Sequence, residues 1–207
     1  MLIPAPVPAT AMVRPALAFT GATQSASTPT DARPETKAPV FGSPTASAAA
    51  NAWPAGMAPN QVPVYQRNEL FIDASPERVF AWLSRADLWS SYYGNAKNVQ
   101  VDAAPAEPLK AGTHFHWWTF NIPLSTQVSV CEPGKALAWD AHMPGLRAYH
   151  KWILVPEGKG TRVITEETDG GLVASLAPGY IRGGLAREHQ HWLEGLARMV
   201  LGGPPPS

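Results

Sequence analysis

Apolar residues follow a helical spacing at the end of this chain and a strand-like spacing before it. From Pro178 to Leu201 they recur at steps of three or four residues, which predicts a helix of roughly six turns. Pro178 suits the first turn, and Gly202-Gly203 followed by prolines predicts the helix end. The predicted buried side carries Ile181, Leu185, His189, Trp192, Leu196 and Val200, and the opposite side carries Arg182, Arg187, Glu194 and Arg198. Such a helix needs a large concave surface on which to pack.

The preceding part of the chain alternates short apolar segments with turn sequences rich in proline and glycine. This pattern predicts strands joined by hairpins, at about 64–73, 98–103, 113–121, 124–132, 136–143, 147–155 and 161–168. After the first strand, Ser75-Pro76-Glu77 is a helix start with Ser75 as N-cap, and Asp87 is predicted to cap a second short helix. The sequence therefore predicts an α+β domain: a seven-stranded antiparallel sheet with its helices on one face.

Hairpin geometry predicts which side chains face the helix. A two-residue link at Ile122-Pro123 would place Phe115 opposite Val130 and Trp117 opposite Val128 on the inner face. The outer face would then carry His114, His116, Gln127, Ser129 and Cys131. The same register, continued across the next turn, places Leu137, Trp139, Ala141 and Met143 inside.

Two registers are compatible with the last two strands. The favoured one places Ala148, His150, Trp152 and Leu154 inside, opposite Thr168, Glu166 and Ile164; the alternative places Tyr149, Lys151 and Ile153 inside. In the favoured register, His150 and Glu166 are cross-strand neighbours within hydrogen-bonding reach. Glu166 and Glu167 point to opposite faces of their strand, so they cannot act together as a carboxylate pair.

Residues 1–63 differ in composition from the rest. They contain half of the 22 prolines, few charges, and neither helical nor strand periodicity. This composition predicts a disordered tail, followed by a domain at 64–203. Met57 precedes the ordered part, so the natural start is either Met1 or Met57.

Charge and cysteine content exclude several classes of function. Sixteen basic residues balance sixteen acidic ones, so no net field would attract nucleic acid. Cys131 is the single cysteine, which excludes an internal disulfide and an all-cysteine metal site. No apolar run is long enough to span a membrane, and the start lacks a secretory signal pattern, so a cytoplasmic protein is expected. Oligomeric state has no signal in the sequence.

Several local motifs carry a resemblance to a known family. The first is the passage from the first strand to the first helix, at residues 72–80. Three more lie in the sheet: Gly112-Thr113, Glu132-Pro133 followed by Leu137-Ala138-Trp139, and residues 160–163. The last is the final helix with His189 and Trp192. With these motifs the chain, from Val64 to Gly202, resembles the START-like (SRPBCC) superfamily and its polyketide cyclase/dehydrase-type members. The resemblance implies the helix-grip fold, a sheet curved around a C-terminal helix with a cavity between them. Members bind lipids, sterols, polyketides or other apolar molecules, and some are cyclases or dehydratases; no catalytic set is common to the superfamily.

The predicted interior is rich in indole rings, as expected for a small apolar ligand site. The residues predicted to bind the ligand are Tyr93, Phe115, Trp117, Val128, Trp139, Trp152, His189 and Trp192. The first hypothesis is therefore a protein that binds a small, largely apolar ligand, without a cofactor. The second is a cofactor-free polyketide cyclase or dehydratase with His150 and Glu166 as its acid–base pair. The third is a domain that regulates a protein partner.

No metal site is predicted. His114 and His116 have a spacing that can chelate a metal ion, but no third ligand is evident near them.

Overall fold

The computed structural model of the chain describes residues 48–206. The strands are β1 (Val64–Ile72), β2 (Lys97–Val101), β3 (His114–Thr119), β4 (Ile122–Glu132), β5 (Ala136–Met143), β6 (Leu146–Glu157) and β7 (Gly160–Gly170). The helices are α1 (Ala48–Asn51), α2 (Pro76–Leu83), a 3₁₀ helix (Ala86–Ser91), α3 (Leu172–Leu176) and α4 (Pro178–Gly202). The strands form one antiparallel seven-stranded sheet in the order β1-β7-β6-β5-β4-β3-β2. The predicted α+β helix-grip fold is confirmed.

The two short helices after β1 have different starts. Ser75 caps α2 as predicted, because its hydroxyl accepts a hydrogen bond from the backbone N–H of Arg78 at 3.4 Å. The second is a 3₁₀ helix, and the prediction that Asp87 caps it was wrong. Asp87 lies inside its first turn, where its carboxylate accepts hydrogen bonds of 2.9 and 2.8 Å from the Arg85 guanidinium.

Helix α4 packs on the concave face of the sheet by the predicted side. Leu185, His189, Trp192, Leu196 and Val200 are buried, Ile181 is partly buried, and the four charged residues of the predicted opposite side are exposed. The C-terminal half of α4 makes the closest contact with the rest of the domain. A Cβ atom added at Gly195 would lie 2.1 Å from the carbonyl oxygen of Tyr92, so the helix approaches within backbone contact there.

The turn between β3 and β4 is not the predicted one. It is formed by Phe120 and Asn121, whose φ angles of 52° and 58° match a two-residue hairpin turn with both residues left-handed. Phe115 therefore pairs with Thr126, and Trp117 with Leu124. The predicted partners were wrong by an even number of positions, which left the inner and outer faces of β3 unchanged.

A β-bulge in β4 reverses the predicted facing of the end of that strand. Pairing with β5 shifts between Val128 and Val130, so two residues of β4 oppose one of β5. Val130 consequently packs among outer-face residues, and Cys131 packs against the main core. Both had been predicted on the opposite faces, because strict alternation was assumed.

The β6–β7 pairing differs from the favoured prediction by one residue on β7. Ala148, His150, Trp152 and Leu154 do face the interior, but His150 pairs with Glu167 and not with Glu166. The connecting turn consists of Gly158 and Lys159, since Glu157 pairs with Gly160 across it. This two-residue turn places the odd-numbered residues of β7 inside and Glu166 outside.

The outer face of the sheet is covered by the chain before β1. Trp53 packs edge-on against Tyr65 and Tyr149, and Met57 is buried with Tyr149. Lys151 lies beneath this cover, 3.9 Å from the centre of the Trp53 ring, and its ammonium group pairs with Glu166 at 3.0 Å. Residues 1–47 of the predicted tail lie outside the described residues, so the tail stays a prediction there. From Trp53 onward, the described part of the predicted tail packs on the sheet.

Gly195→Ala should destabilise the fold by about 1–3 kcal/mol, because the new methyl group would overlap the Tyr92 carbonyl oxygen. Gly183→Ala, in the same helix with open space around it, is the matched control. It should raise stability by up to about 1 kcal/mol through helix propensity. Urea unfolding followed by tryptophan fluorescence measures both; equal effects would contradict the close contact at Gly195.

Tyr65 should make the stability depend on alkaline pH. Burial and the hydrogen bond from its hydroxyl to Glu166, at 2.5 Å, raise the pKa of Tyr65 from 10.0 to about 12. The folded state therefore holds this proton more tightly, so the stabilisation is complete below about pH 10 and declines as the pH rises towards about 12. The difference in unfolding free energy between the wild type and Tyr65→Phe should shrink over that range. A constant difference would contradict the assignment.

Candidate functional site

A cavity of about 690 Å³ lies between the inner face of the sheet, α3 and the N-terminal half of α4. Helix α4 contributes residues between Tyr180 and Trp192 to its wall. Phe120, Leu176 and Tyr180 also line it and are well exposed, so they form an apolar mouth. This volume is typical of sites that enclose a small organic molecule.

Aromatic rings form one wall of the cavity. Trp117, Trp139 and Trp192 line it, and Tyr93 stacks on Trp192 with ring centres 4.3 Å apart and planes 9° apart. Trp89, fully buried, contacts all three of these indoles at centroid distances of 5.1 to 5.6 Å. Its Nε1 donates to the Leu83 carbonyl at 2.9 Å, which holds the ring in place. Trp89 thus positions the wall without lining it.

The predicted ligand-binding residues divide into two groups. Those that line the cavity are Tyr93, Trp117, Trp139, His189 and Trp192. Phe115, Val128 and Trp152 point inward but lie in the packed core and not in the cavity wall. Inward facing was predictable from strand alternation, whereas access to the cavity depends on where α4 stands away from the sheet.

Four polar side chains form a second wall, which we call the polar wall: His150, Glu167, Asp169 and His189. The Oε2 atom of Glu167 lies 2.9 Å from Nδ1 of His150 and 3.1 Å from Nε2 of His189. The Nε2 atom of His150 lies 2.7 Å from the Thr165 hydroxyl. One carboxylate oxygen of Glu167 is therefore in contact with two imidazoles. The other ring nitrogen of His150 is in hydrogen-bond contact with the Thr165 hydroxyl.

Burial and mutual contact shift the pKa values of this wall in different directions. Burial lowers the pKa of His150, although Glu167 opposes the effect. Burial would raise the pKa of Glu167, but His150 and then His189 outweigh it and hold that pKa well below its usual range. Burial, reinforced by the negative charge of Glu167, raises the pKa of Asp169 well above its usual value. The negative charge of this wall is therefore stabilised on Glu167, between the two imidazoles.

The predicted His150–Glu166 pair does not form. Glu166 points to the outer face, where its carboxylate contacts Lys151 at 3.0 Å and Tyr65 at 2.5 Å. The partner of His150 is Glu167, which the sequence reasoning placed outside. Treating Gly158-Lys159 as a two-residue turn would have identified it, because that turn sets the parity of β7.

The polar wall also has the composition of a metal site. His150, Glu167 and His189 each offer one metal-ligating atom, and these three atoms lie within 4.8 Å of one another. Among residues 48–206, this is the one group of three or more such side chains. His114 and His116, the pair considered from the sequence, are exposed on the outer face.

Within the described part of the chain, the helices are all too short or too polar to cross a membrane. Helix α4 is long enough, but its charged side excludes it.

Comparisons with solved structures identify the same fold. A hypothetical protein from Helicobacter pylori, jhp0584, is 25% identical with a TM-score of 0.66, over 72% of this chain and 95% of that protein. The protein TTHA0849 of Thermus thermophilus is 20% identical with a TM-score of 0.56, over 67% of this chain and 97% of its own. The di-domain ARO/CYC protein StfQ from the steffimycin biosynthetic pathway is 16% identical with a TM-score of 0.57, over 67% of this chain and 51% of its own.

Family membership follows from the sequence. A search of curated proteins finds no match to this chain. The sequence profile described as "Polyketide cyclase / dehydrase and lipid transport", in contrast, matches residues 67–200, which is almost the whole sheet and α4. The chain therefore belongs to this family of the START-like superfamily.

Proposed function

We propose that this protein encloses a small, largely apolar molecule that carries a hydroxyl or carbonyl group. The observation that supports the proposal is the cavity of about 690 Å³, which has indole rings on one wall and a hydrogen-bonding polar wall on another. The rings of Trp117, Trp139 and Trp192 offer stacking surface to a flat or cyclic ligand. His150, Glu167 and His189 offer hydrogen bonds that would orient its oxygen atoms.

The chemistry of the two walls favours a ligand of mixed character. A purely apolar molecule would leave the buried Oδ1 atom of Asp169 and Nδ1 atom of His189, which have no hydrogen-bond partner among the described residues, still unsatisfied at a cost in free energy. An anionic group placed against the polar wall would be repelled by Glu167. Lipid-like and polyketide-like molecules with oxygen functions satisfy both walls, and both classes agree with the description of the family.

Filling the cavity should weaken ligand binding. Ala148 lies on the inner face of β6 and lines the cavity, so the ring of Ala148→Phe would occupy ligand space. Its affinity for Prodan, a neutral fluorescent naphthyl ketone, should fall at least about tenfold, or about 1.4 kcal/mol. The blue shift of Prodan emission on burial and the quenching of tryptophan fluorescence measure the binding.

Ala103→Phe is the control, because Ala103 is exposed in the link after β2 and does not line the cavity. It should bind Prodan like the wild type. Equal affinity in Ala148→Phe, with the variant folded by circular dichroism, would show that the probe binds elsewhere and would contradict the proposal.

A second candidate is favoured by the carboxylate that lies between two imidazoles in the same cavity. Such groups can catalyse an aldol-type ring closure. Glu167 would take a proton from the carbon next to a carbonyl, that carbon would bond to a second carbonyl carbon, and the oxygen of that carbonyl would receive a proton from an imidazole. The pair proposed from the sequence, His150 and Glu166, is replaced in this role by His150 and Glu167.

Cyclisation of a linear poly-β-ketone thioester, followed by the absorbance of the aromatic product, tests this candidate. Glu167→Gln should lower kcat by about 100-fold or more while Prodan affinity stays within about threefold. Glu166→Gln should lower stability, because Lys151 loses its partner, but should keep kcat. Turnover by the wild type no faster than the uncatalysed reaction would eliminate the enzyme and leave the binding protein.

A further inference from the structure

We propose that His150, Glu167 and His189 bind one divalent transition-metal ion of the zinc class. The metal site goes beyond the proposed function, because it concerns an inorganic ligand and does not require an organic molecule in the cavity. It also departs from the expectation, drawn from the sequence, that the protein has no metal site.

The spacing of the ligand atoms supports this site. A tetrahedral ion with metal–ligand bonds of about 2.0–2.1 Å keeps its ligand atoms about 3.3 Å apart. The Oε2 atom of Glu167 already lies 2.9 Å from Nδ1 of His150 and 3.1 Å from Nε2 of His189. The two carboxylate–imidazole distances are thus already close to those of a metal site, and the two imidazole nitrogens lie within 4.8 Å of each other.

The ligand types and their support select the kind of metal. Two imidazole nitrogens and one carboxylate oxygen suit Zn²⁺ and neighbouring divalent transition metals better than Ca²⁺ or Mg²⁺. His150 and His189 are 3% and 2% exposed, so their rings are fixed by packing. The Thr165 hydroxyl lies 2.7 Å from Nε2 of His150, which leaves Nδ1 as the ligand atom, as expected for an oriented metal ligand.

Asp169, beside this group, provides a further indication. It lies two residues after Glu167 on the same face of β7, lines the cavity, and is 3% exposed. Its Oδ1 atom has no hydrogen-bond partner among the described residues, an unusual state for a buried polar atom. Among residues 48–206, Glu167 forms ion pairs with the two histidines, and the Asp169 side chain interacts with Glu167. A cation bound to Glu167 would offset the charge that two neighbouring carboxyl groups place in this buried wall.

The test uses the full chain, freed of metal with EDTA, dialysed and titrated with Co²⁺. Tetrahedral coordination by nitrogen and oxygen gives visible absorption bands. We expect one Co²⁺ per chain, displaced by Zn²⁺. His189→Ala and Glu167→Gln should each weaken Co²⁺ binding by at least about 100-fold. Thr165→Val should weaken it by about tenfold through loss of the orienting contact.

The matched control for His189→Ala is His191→Ala, because His191 is exposed on the same helix and its side chain is 64% accessible. Glu194→Gln, also exposed on α4, is the control for Glu167→Gln. Both controls should bind Co²⁺ like the wild type. Near-ultraviolet circular dichroism of the buried indoles verifies folding, and His189→Ala alone decides the matter if Glu167→Gln does not fold.

The proposal is overturned if the wild type gives no visible bands, or if folded His189→Ala binds Co²⁺ as tightly as His191→Ala. It is also overturned if the bands disappear in His116→Ala and persist in His189→Ala, since the ion would then lie on the outer face. Prodan binding in the presence of EDTA tests the organic-ligand function separately, so the two proposals can fail independently.

Discussion

The uneven packing of α4 against the sheet determines the rest of this structure. The C-terminal half of the helix is in close contact with the domain, with Leu193, Leu196 and Val200 fully buried and Gly195 against the Tyr92 carbonyl. The N-terminal half contacts the sheet at β1, where Leu185 packs with Val64 and Asn68 donates to the Ala186 carbonyl, and the space between it and the inner face of the other strands is the cavity. Trp192 lies at the boundary, in contact with Trp89 behind it and with Tyr93 beside it. A helix packed equally along its length would leave a core without a cavity.

The polar wall depends on a second constraint, the alternation of side chains along β7. A strand directs successive residues to opposite faces, so a register change of one residue exchanges Glu166 and Glu167. In the observed register, Glu167 faces two imidazoles inside and Glu166 faces Lys151 outside. Two adjacent glutamates thus have different roles: one contributes to the cavity, and the other neutralises an ammonium group beneath Trp53.

Most of the fold was predictable because it depends on local signals. Prolines and glycines delimited the strands, Ser75-Pro76-Glu77 marked α2, and the spacing of apolar residues identified α4. The inner face of β3 was predicted correctly although the turn was not, because an error of two or four positions preserves alternation. The bulge near Ser129 had no local signal, since it depends on how β4 fits β5, and Val130 and Cys131 were consequently misplaced.

The site was less predictable than the fold for physical reasons. β6 is buried on both faces, by the core on one side and by Trp53 and Met57 on the other, so its hydrophobicity does not alternate. The register of β7 relative to β6 then depends only on the turn at Gly158-Lys159. Trp89 lies in the second short helix, which was predicted from the sequence. Its contact with three cavity indoles was not predictable, because it depends on long-range packing.

The double burial of β6 has a consequence for motion. This strand is hydrogen-bonded to β5 on one side and to β7 on the other, and both of its faces are covered. Its amide protons can exchange with solvent only when the whole domain unfolds cooperatively, whereas the exposed five-residue α3 can open at a much lower free energy. His150 therefore lies in the part of the domain expected to exchange slowest, whereas Leu176, at the mouth of the cavity, lies in a segment expected to exchange fast.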